Sequence, residues 1–362
     1  MKKILSISGF IVMIALFTAF ALVSYTGKPK TYSTIEQREL AQFPKLDAKF
    51  TTNLNTYSND QFYFRNQLME LKGNLQYLLG QRQMKQVWIG KDGMLFQQGK
   101  SLNSTHKYEL ANAINQFSNK TKLKAKMILI ADRINLLPDL LEDYMITCDS
   151  LLDIQNLLVE LNNIDYLDVN QVLMNQKDDF YYSDHHYTTK GAKLCFDEYF
   201  NRYLLKEVKY EYEIYPYTNV FQGTLANQSG YRNCYDQVSL YIEKDCDIKY
   251  VMNIDDKETS SIYSLEGKND YEVFFNGNHP LVRIDTTASN DRHLLVIKDS
   301  FANAFVPFLL PYYQKITMID PRYYYDDLYA YIKEYEVNDV LFLYSTQTLF
   351  SDTSLIDLLN QE

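Results

Sequence analysis

Residues 294–303 read LLVIKDSFAN, an apolar run that ends in a polar corner and leads into a helix-like segment. A continuous apolar run is typical of a strand that is covered on both faces, as in the parallel sheets of α/β proteins. In such sheets a reactive side chain commonly lies at the carboxyl end of a strand, above the N-terminus of the next helix. The stretch therefore predicts an α/β fold that exposes Ser300 as a nucleophile.

The chain on both sides of this stretch repeats the alternation of strands and helices. Similar strand-like runs occur at 125–131, 164–169, 315–319 and 339–344, with helix-like segments between them. Such an alternation predicts a mainly parallel sheet with helices on both faces. We therefore expect a three-layer α/β/α domain over 106–362.

Residues 206–290 interrupt this alternation. Helical patterning is weak there, whereas turn signals and strand-like runs dominate. The runs lie at 210–215, 238–242, 248–252, 271–275 and 281–284. We interpret the segment as a β-rich insertion. Within it, residues 221–225 (FQGTL) either fold back over the functional site or form an ordinary turn.

The first 30 residues predict a signal anchor. Two lysines precede an apolar run from Ile4 to Val23, and a transmembrane helix needs about 20 such residues. The apolar cores of cleaved signal peptides are shorter, about 7–15 residues. Ala19-Phe20-Ala21 resembles a cleavage site, so a cleaved signal peptide is the alternative. We expect an anchor over 1–30 that holds the rest outside the cytoplasm at the cell membrane, followed by a stem and N-terminal approach over 31–105.

The composition argues against several classes of protein. The formal net charge is -10 and the sequence pI is about 5.1, whereas nucleic-acid-binding domains carry basic surfaces, so we expect no nucleic-acid partner. Four cysteines in 362 residues do not make a disulfide scaffold. Cys234 and Cys246 flank a strand-like segment and either bridge a hairpin or stay free. No CxxC or His-rich spacing indicates a zinc site.

A second polar stretch, YSDHHYTTKG at 182–191, supplies the groups that a serine nucleophile needs. Serine reacts readily at neutral pH only when an adjacent base is held in orientation by a third group. In an extended segment residues i and i+2 project to the same side, so Asp184 and His186 can hydrogen-bond. We predict a catalytic triad of Ser300 as nucleophile, His186 as base and Asp184 as orienting carboxylate. His185 is expected to point away and to be structural.

Two other interpretations of these residues stay open. In the first, the Asp299-Ser300 corner has no catalytic role and simply caps a helix N-terminus, which is a common use of both residue types. Asp184, His185 and His186 can instead share a divalent metal ion. Since the sequence offers no second cluster of carboxylates and histidines to complete a coordination sphere, we expect neither a metal nor another cofactor.

Together these motifs resemble those of the DHHW protein family. That family is similar to the polysaccharide O-acetyltransferases of the AlgJ/AlgX type, which have SGNH hydrolase-like domains. In the AlgJ/AlgX pattern an Asp-x-His pair precedes the serine, the reverse of ordinary SGNH hydrolases, and Asp184, His186 and Ser300 follow that order. The resemblance covers most of the chain and rests on residues 90–93 with 95–96, 183–188, 190–191, 297–304 and 320–324.

The resemblance implies an SGNH hydrolase-like (flavodoxin-like) fold and an enzyme that transfers acetyl groups through an acyl-serine to a cell-surface polysaccharide. It also implies a partner, a membrane-bound O-acyltransferase (MBOAT) that passes acetyl groups across the bilayer. Asn303 and Arg322 become candidates for oxyanion or substrate contacts, as does Tyr187, which stands where the family usually has Trp. The alternatives are a carbohydrate esterase that removes such groups and a catalytically silent glycan-binding or scaffold protein.

Overall fold

The computed structural model of the chain describes residues 8–15, 18–20, 23, 28–33, 38–254, 257–267 and 269–361. Within these ranges none of the helices combines the length and the apolar character that crossing a bilayer would take. The anchor predicted over Ile4 to Val23 lies partly outside the described residues, at 4–7, 16–17 and 21–22, and it stays a prediction.

The part of the chain before residue 104 contributes short strands and helices. Its elements are β1 (Tyr32–Ser33), β2 (Arg38–Glu39), α1 (Phe50–Gln61), α2 (Arg65–Leu78), β3 (Gln83–Met84), β4 (Val87–Ile89) and β5 (Leu95–Gln97). Strands β3, β4 and β5 form an antiparallel sheet, and β1 pairs with β2. Helix α2 packs against the body through Gly73, where a Cβ atom would lie 2.4 Å from the backbone of Gly230. Leu68, Leu71 and Leu75 of the same helix are exposed.

From residue 104 onward, strands alternate with helices as the sequence predicts. The elements are α3 (Ser104–Thr121), β6 (Ala125–Ile130), α4 (Arg133–Leu136), α5 (Ser150–Leu158), β7 (Ile164–Tyr166), α6 (Asn170–Leu173), α7 (Thr189–Tyr203), β8 (Tyr212–Phe221), α8 (Thr224–Ser229), β9 (Asp236–Glu243), β10 (Tyr250–Ile254), β11 (Lys257–Thr259), β12 (Leu281–Thr286), β13 (His293–Lys298), α9 (Ala302–Phe305), β14 (Lys315–Ile319), α10 (Leu328–Glu334), β15 (Asp339–Ser345), α11 (Thr346–Leu349) and α12 (Ser354–Leu359). Short 3₁₀ turns lie at Lys91–Gly93, Pro138–Leu140, Lys177–Asp179, Asp270–Val273 and Val306–Tyr312.

The central sheet contains eight strands of the described chain, in the order β11-β10-β12-β14-β13-β15-β6-β7. The strands from β14 to β7 run parallel, and they lie at the five places where the sequence predicts strands. Beyond β14 the sheet continues antiparallel through β12, β10 and β11. The prediction of a mixed α/β fold is therefore confirmed.

The segment 206–290 is strand-rich, but only part of it stands apart from the central sheet. Strands β8 and β9 form a separate antiparallel pair, whereas β10, β11 and β12 belong to the central sheet. The strand expected at 271–275 is replaced by a 3₁₀ turn, because the Asn269 side chain accepts the N–H groups of Tyr271 and Glu272. Such local side-chain bonds compete with strand pairing. The division of the chain into stem, domain and insertion stays a prediction.

Strand β13 lies at the centre of the core. All six of its residues are buried, because β14 and β15 flank it on both edges and neighbouring elements cover its faces, as is usual for parallel sheets. Its carboxyl end leads directly to Ser300, so a buried and fully paired strand positions the candidate nucleophile.

Cys234 and Cys246 are both free in this structure, so they do not bridge a hairpin.

Candidate active site

Ser300 lies in the turn between β13 and the short helix α9. The residue before it, Asp299, is fully buried, and its Oδ1 accepts the N–H of Phe301 at 3.0 Å. The other oxygen, Oδ2, accepts the N–H and the hydroxyl of Ser345 at 2.9 and 2.6 Å. Ser345 ends the adjacent strand β15, so this carboxylate ties the turn of the candidate nucleophile to the neighbouring strand.

Asp184 and His186 come together through a local turn. The N–H of His186 donates to Asp184 Oδ1 at 3.0 Å, which is the bonding pattern of an Asx turn. The ring of the same histidine places Nδ1 2.6 Å from that oxygen. Phe180 and Tyr187 pair across the loop in an isolated antiparallel bridge. The predicted hydrogen bond is present, but an Asp that bonds to its own backbone, and not an extended segment, creates it.

The three residues predicted as a triad meet in space. His186 Nε2 lies 2.7 Å from Ser300 Oγ, and Asp184 Oδ2 accepts the N–H of Thr224 at 2.7 Å. Burial by itself raises the pKa of Asp184. Electrostatic interactions with the His185 and His186 rings, together with the hydrogen bonds from His186 and from the Thr224 N–H, outweigh burial, so this pKa lies well below its ordinary value. The carboxylate is therefore ionised, as it must be to orient the imidazole and stabilise its protonated form.

Residues 221–225 fold back against Asp184. A Cβ atom on Gly223 would lie 2.2 Å from the Cβ of Asp184, so the close approach requires glycine. Ser183 Oγ accepts the N–H of Gly223 at 2.9 Å, and the next residue, Thr224, bonds the carboxylate. Of the two interpretations of this segment, the contact with the site is the one that the structure supports.

Two buried charged residues, which the sequence analysis does not identify, hold the backbone that leads into the loop. Arg133 donates to the carbonyl oxygen of Asp184 at 2.8 Å and to those of Tyr181 and Leu95. Burial lowers the pKa of Arg133 to about 10, so it stays charged at neutral pH. Asp236 accepts the N–H groups of the two residues before Asp184, at 2.7 and 2.8 Å. Arg133 thus binds carbonyl oxygens of this backbone and Asp236 binds its N–H groups, so both its acceptors and its donors are held.

Aromatic rings pack around the imidazole of His186. Tyr271 stacks on it, with 4.0 Å between ring centroids and 14° between planes, and its hydroxyl donates to the carbonyl of Ser300 at 3.1 Å. The centroid of Phe301 lies 4.9 Å away. The sequence suggests that His185 points away from the site. In the structure its ring instead packs beside that of His186, with 3.9 Å between the ring centroids. Burial, together with the charge of His186, lowers the pKa of His185 to about 3, so it is neutral at neutral pH.

Asn303, a predicted oxyanion or substrate contact, belongs to a buried network close to Ser300. Lys298 Nζ donates to Asn278 Oδ1 at 2.8 Å and to Asn303 Oδ1 at 3.0 Å, and it forms an ion pair with Asp320 at 3.5 Å. The Asn303 Nδ2 donates to Asn278 Oδ1 at 3.1 Å. Burial lowers the pKa of Lys298, although the charge of Asp320 opposes this shift. Both ends of the Asn303 amide are therefore occupied within the protein.

The other two predicted contacts also have protein partners. Arg322 donates from Nε and Nη2 to Asp320, at 2.8 and 2.6 Å, and its side chain is 25% exposed. Tyr187 is fully buried, and its hydroxyl donates to the carbonyl of Phe301 at 2.7 Å. Among the described residues the backbone N–H of Ser300 has no acceptor, so it is free to meet a substrate oxygen. Roles of Asn303, Arg322 and Tyr187 in substrate binding stay predictions.

The cluster considered for a metal ion is the same Asp184, His185 and His186. Each offers one potential ligand atom, and these atoms lie within 4.8 Å of one another, the one such grouping in the described part of the chain. Asp184 Oδ1 and His186 Nδ1 are already hydrogen-bonded to each other. The arrangement therefore fits a carboxylate that orients and stabilises the imidazole of His186 through a direct hydrogen bond. The prediction that no metal ion is bound stays untested.

Comparisons with known proteins place the fold. No family model matches the sequence, and no curated protein does. A DHHW family protein from Eubacterium siraeum DSM 15702 is similar in structure, with a TM-score of 0.65 and 22% identity over 75% of this chain and 94% of that one. Bacillus cereus PatB1, solved with a sulfonyl adduct, gives a TM-score of 0.63 and 22% identity over 76% and 99%. The O-acetyltransferase domain of Pseudomonas putida AlgJ aligns more weakly, with a TM-score of 0.45 and 12% identity over 75% and 98%.

Proposed function

We propose that this chain is an O-acetyltransferase that carries an acetyl group on Ser300 and transfers it to a hydroxyl group of a cell-surface polysaccharide. The observation that carries the proposal is the hydrogen-bonded series Ser300, His186 and Asp184, with 2.7 and 2.6 Å between the bonded atoms. Acyl transfer through serine requires a nucleophile, a base and an orienting group within this reach. The motifs shared with the DHHW family support acetyl as the group and a three-layer SGNH-like arrangement as the fold.

In the first half-reaction Ser300 Oγ attacks the carbonyl carbon of the acetyl donor while His186 Nε2 takes the hydroxyl proton. Asp184 stabilises the resulting imidazolium and holds its tautomer. Negative charge develops on the carbonyl oxygen, and the free N–H of Ser300 is a donor for it. The bond between the acetyl carbon and the donor then breaks, and His186 passes the proton to the leaving group.

In the second half-reaction a sugar hydroxyl attacks the acetyl carbon of the Ser300 ester. His186 removes the proton of this hydroxyl as the new carbon–oxygen bond forms. The bond to Ser300 Oγ breaks, and the proton returns to that oxygen. The protein groups act in the same way whichever acceptor enters, so the acceptor decides between transfer and hydrolysis.

An esterase and a silent glycan-binding or scaffold protein are the competing functions. The esterase uses the same triad with water in place of the sugar. The scaffold has no activated serine, and that difference is chemical. The structure of PatB1 contains a sulfonyl adduct, and sulfonyl fluorides react with activated serine hydroxyls. We therefore expect phenylmethanesulfonyl fluoride to add one sulfonyl group to this protein at Ser300, detected by mass spectrometry and absent in Ser300→Ala.

The same proposal includes a location and a donor. The apolar run from Ile4 to Val23 would hold the enzyme at the outer face of the cell membrane, where surface polysaccharides are assembled and cytosolic acyl-CoA is absent. An MBOAT partner would then supply acetyl groups, contacting the anchor and the stem around Phe62 to Arg65. Deleting that partner should deplete surface O-acetyl groups as fully as Ser300→Ala does. A rise in surface O-acetylation on loss of Ser300 would instead identify an esterase.

The test of transfer uses the full-length protein in detergent with p-nitrophenyl acetate as donor. Neutral tetrasaccharides are added as acceptors, and acetylated sugar is quantified by mass spectrometry against free acetate. Net acetylated sugar that depends on Ser300 supports the transferase. Acetate as the product at every sugar concentration, together with removal of acetyl groups from acetylated polysaccharide, establishes the esterase.

A further inference from the structure

Helix α2 turns an apolar face away from the body of the protein. Leucines recur along it at intervals of three and four residues, which places them on one side of the helix. They are Leu68, Leu71, Leu75, Leu78 and Leu79, and between 50% and 79% of each is exposed. Gly73, on the opposite side, is the residue that meets Gly230. A helix ordinarily turns such a stripe toward the core, so this outward leucine stripe indicates a binding surface.

The apolar run that the sequence predicts as an anchor meets this helix at its start. Phe20, near the end of the run, packs edge-on against Phe64, with 5.0 Å between the ring centroids. Phe64 directly precedes α2 and lies in line with the stripe, four residues before Leu68. A run that crosses a bilayer reaches the lipid surface at its end, and the 14 residues of α2 extend only about 21 Å. A chain anchored in this way keeps the whole leucine stripe close to the lipid surface.

Charge is distributed unevenly along the chain, and the part that contains α2 is basic. Residues 28–85 contain nine lysines and arginines against five aspartates and glutamates, whereas residues 86–362 contain 25 against 41. Lys72 lies at the margin of the leucine stripe and is exposed, and one of the five acidic residues, Asp60, is buried. Anionic headgroups attract lysine and arginine close to a membrane and repel acidic groups. An anionic lipid surface would therefore attract the side of the protein that carries the stripe.

We infer that the leucine stripe of α2 lies in the surface of a bilayer that contains anionic phospholipids, with its leucines among the acyl chains and Lys72 among the headgroups. Helices with one apolar face and basic flanks bind lipid surfaces in this way. Two attachments, the anchor and a helix lying flat, fix the orientation of the domain as well as its distance from the membrane. The inference uses the location given in the proposed function but none of its chemistry, so the two can fail separately.

Quenching by brominated lipid tests this contact. The chain contains one tryptophan, Trp88, which is buried in β4, so the wild-type protein supplies the background for a second tryptophan introduced by Leu71→Trp. The full-length variant is reconstituted into vesicles of phosphatidylcholine and phosphatidylglycerol, with plain or brominated acyl chains. An interfacial helix buries its apolar face about 5–10 Å deep, so we expect brominated chains to quench the added fluorescence by about half or more.

Leu205→Trp is the matched control. Leu205 is an exposed leucine that follows α7. The last turn of α7 contacts β7 through Arg202 and Asp165, near the amino ends of the parallel strands, whereas the candidate site lies at their carboxyl ends. We expect no quenching of this tryptophan. Quenching of Leu71→Trp should also weaken in vesicles of phosphatidylcholine alone, and equal quenching there would overturn the role of anionic headgroups.

Folding of each variant is checked by circular dichroism and by sulfonylation of Ser300. If Leu71→Trp fails this check, Leu78→Trp replaces it, since Leu78 is the most exposed residue of the stripe. Equal quenching of the Leu71→Trp and Leu205→Trp proteins, no quenching of either, or failure of the chain to float with the vesicles would overturn the inference. An unquenched Leu71→Trp whose emission shifts to shorter wavelength as protein concentration rises would assign the stripe to a second copy of the chain. Quenching without acetyl transfer would retain the lipid contact and count against the proposed function, and transfer without quenching would do the reverse.

Discussion

Tyr271 lies flat against His186, with 4.0 Å between ring centroids, and its hydroxyl donates to the carbonyl oxygen of Ser300 at 3.1 Å. One side chain therefore contacts both the candidate base and the backbone of the candidate nucleophile. Because the imidazole is packed on this ring, its orientation is set by shape as well as by the hydrogen bond to Asp184.

Removing the Tyr271 hydroxyl should reduce activity modestly, and removing its ring should reduce it more. Tyr271→Phe loses one hydrogen bond, worth about 1 kcal/mol, so kcat/KM for p-nitrophenyl acetate should fall by up to about tenfold. Tyr271→Leu should fall further because the imidazole loses its stacking partner. Tyr263→Phe, which also removes a hydroxyl bonded to a backbone carbonyl, is the control. Wild-type kinetics for Tyr271→Leu would show that stacking has no role.

The triad itself makes the sharpest prediction. Ser300→Ala and His186→Ala should each abolish acyl transfer and leave the fold intact, and the double variant should be no worse, since the members act as a unit. Asp184→Asn should lower kcat by about 10³–10⁴-fold, because it keeps the geometry but loses the tautomer. Steady-state kinetics and circular dichroism measure both properties. Near-normal turnover by Ser300→Ala would rule out Ser300 as the nucleophile and, with it, this mechanism.

His185 should govern acid stability rather than catalysis. Its pKa falls from 6.5 to about 3 on folding, so between these values the unfolded chain binds a proton that the folded chain does not. Stability from this group is therefore lost as pH falls through that window. His185→Gln should retain much of the activity. Below about pH 6.5 its unfolding free energy, measured by urea titration, should fall less steeply with decreasing pH, by a slope that corresponds to at most one bound proton. An inactive His185→Gln with an unchanged melting curve would mean that the base is His185.

Gly223→Ala should damage both the fold and the site. The added Cβ would lie 2.2 Å from the Cβ of Asp184, and overpacking of this kind costs about 1–3 kcal/mol. The displaced carboxylate would also release His186, so activity should fall by more than stability alone explains. Thr224→Ala keeps the N–H that binds Asp184 and is the control. The measurements are denaturant unfolding and ester hydrolysis, and equal results for the two variants would contradict the prediction.

Lys298→Met should be strongly destabilising. It removes the cation of a buried network and leaves Asp320 with one partner fewer, and breaking a buried pair in this way costs about 3–5 kcal/mol. Lys315→Met is the matched control, since Lys315 is exposed at the start of β14, where substitutions usually change stability by about 0.5 kcal/mol or less. Urea unfolding compares the two. Similar midpoints would show that the neighbouring amides can replace the charge.

The sequence predicts the elements whose signal is local. Apolar runs identify the parallel strands, and the polar corner after residue 298 identifies the turn of Ser300. The pairing of Asp184 with His186 is also predicted, although from an extended geometry that the Asx turn replaces. In each case the residues that carry the signal are neighbours in the chain.

Other features of the site have no local signal. Tyr271 is one of 32 tyrosines, and its neighbours in the chain predict a strand. Arg133 acts on a carbonyl 51 residues away, so no spacing within its own segment reveals it. Asn303 and Arg322 look available in the sequence, although Lys298 and Asp320, which engage their polar atoms, lie only five and two residues away in the chain. What the sequence does not show is that these groups are buried together, because Lys298 and Asp320 meet only where β13 and β14 lie side by side.

The anchoring of Asp299 to Ser345 has a consequence for the order of folding. Ser300 and His186 are 114 residues apart, and the strand that steadies the nucleophile's turn comes a further 46 residues after Asp299. Contacts of such long sequence separation form slowly, since a large loop must close first. A growing chain therefore contains Ser300 and His186 before it contains Ser345, the residue that ties the turn of Ser300 to β15. We expect Ser300 to be unreactive as a nucleophile during synthesis and to become reactive only when β15 pairs with the sheet.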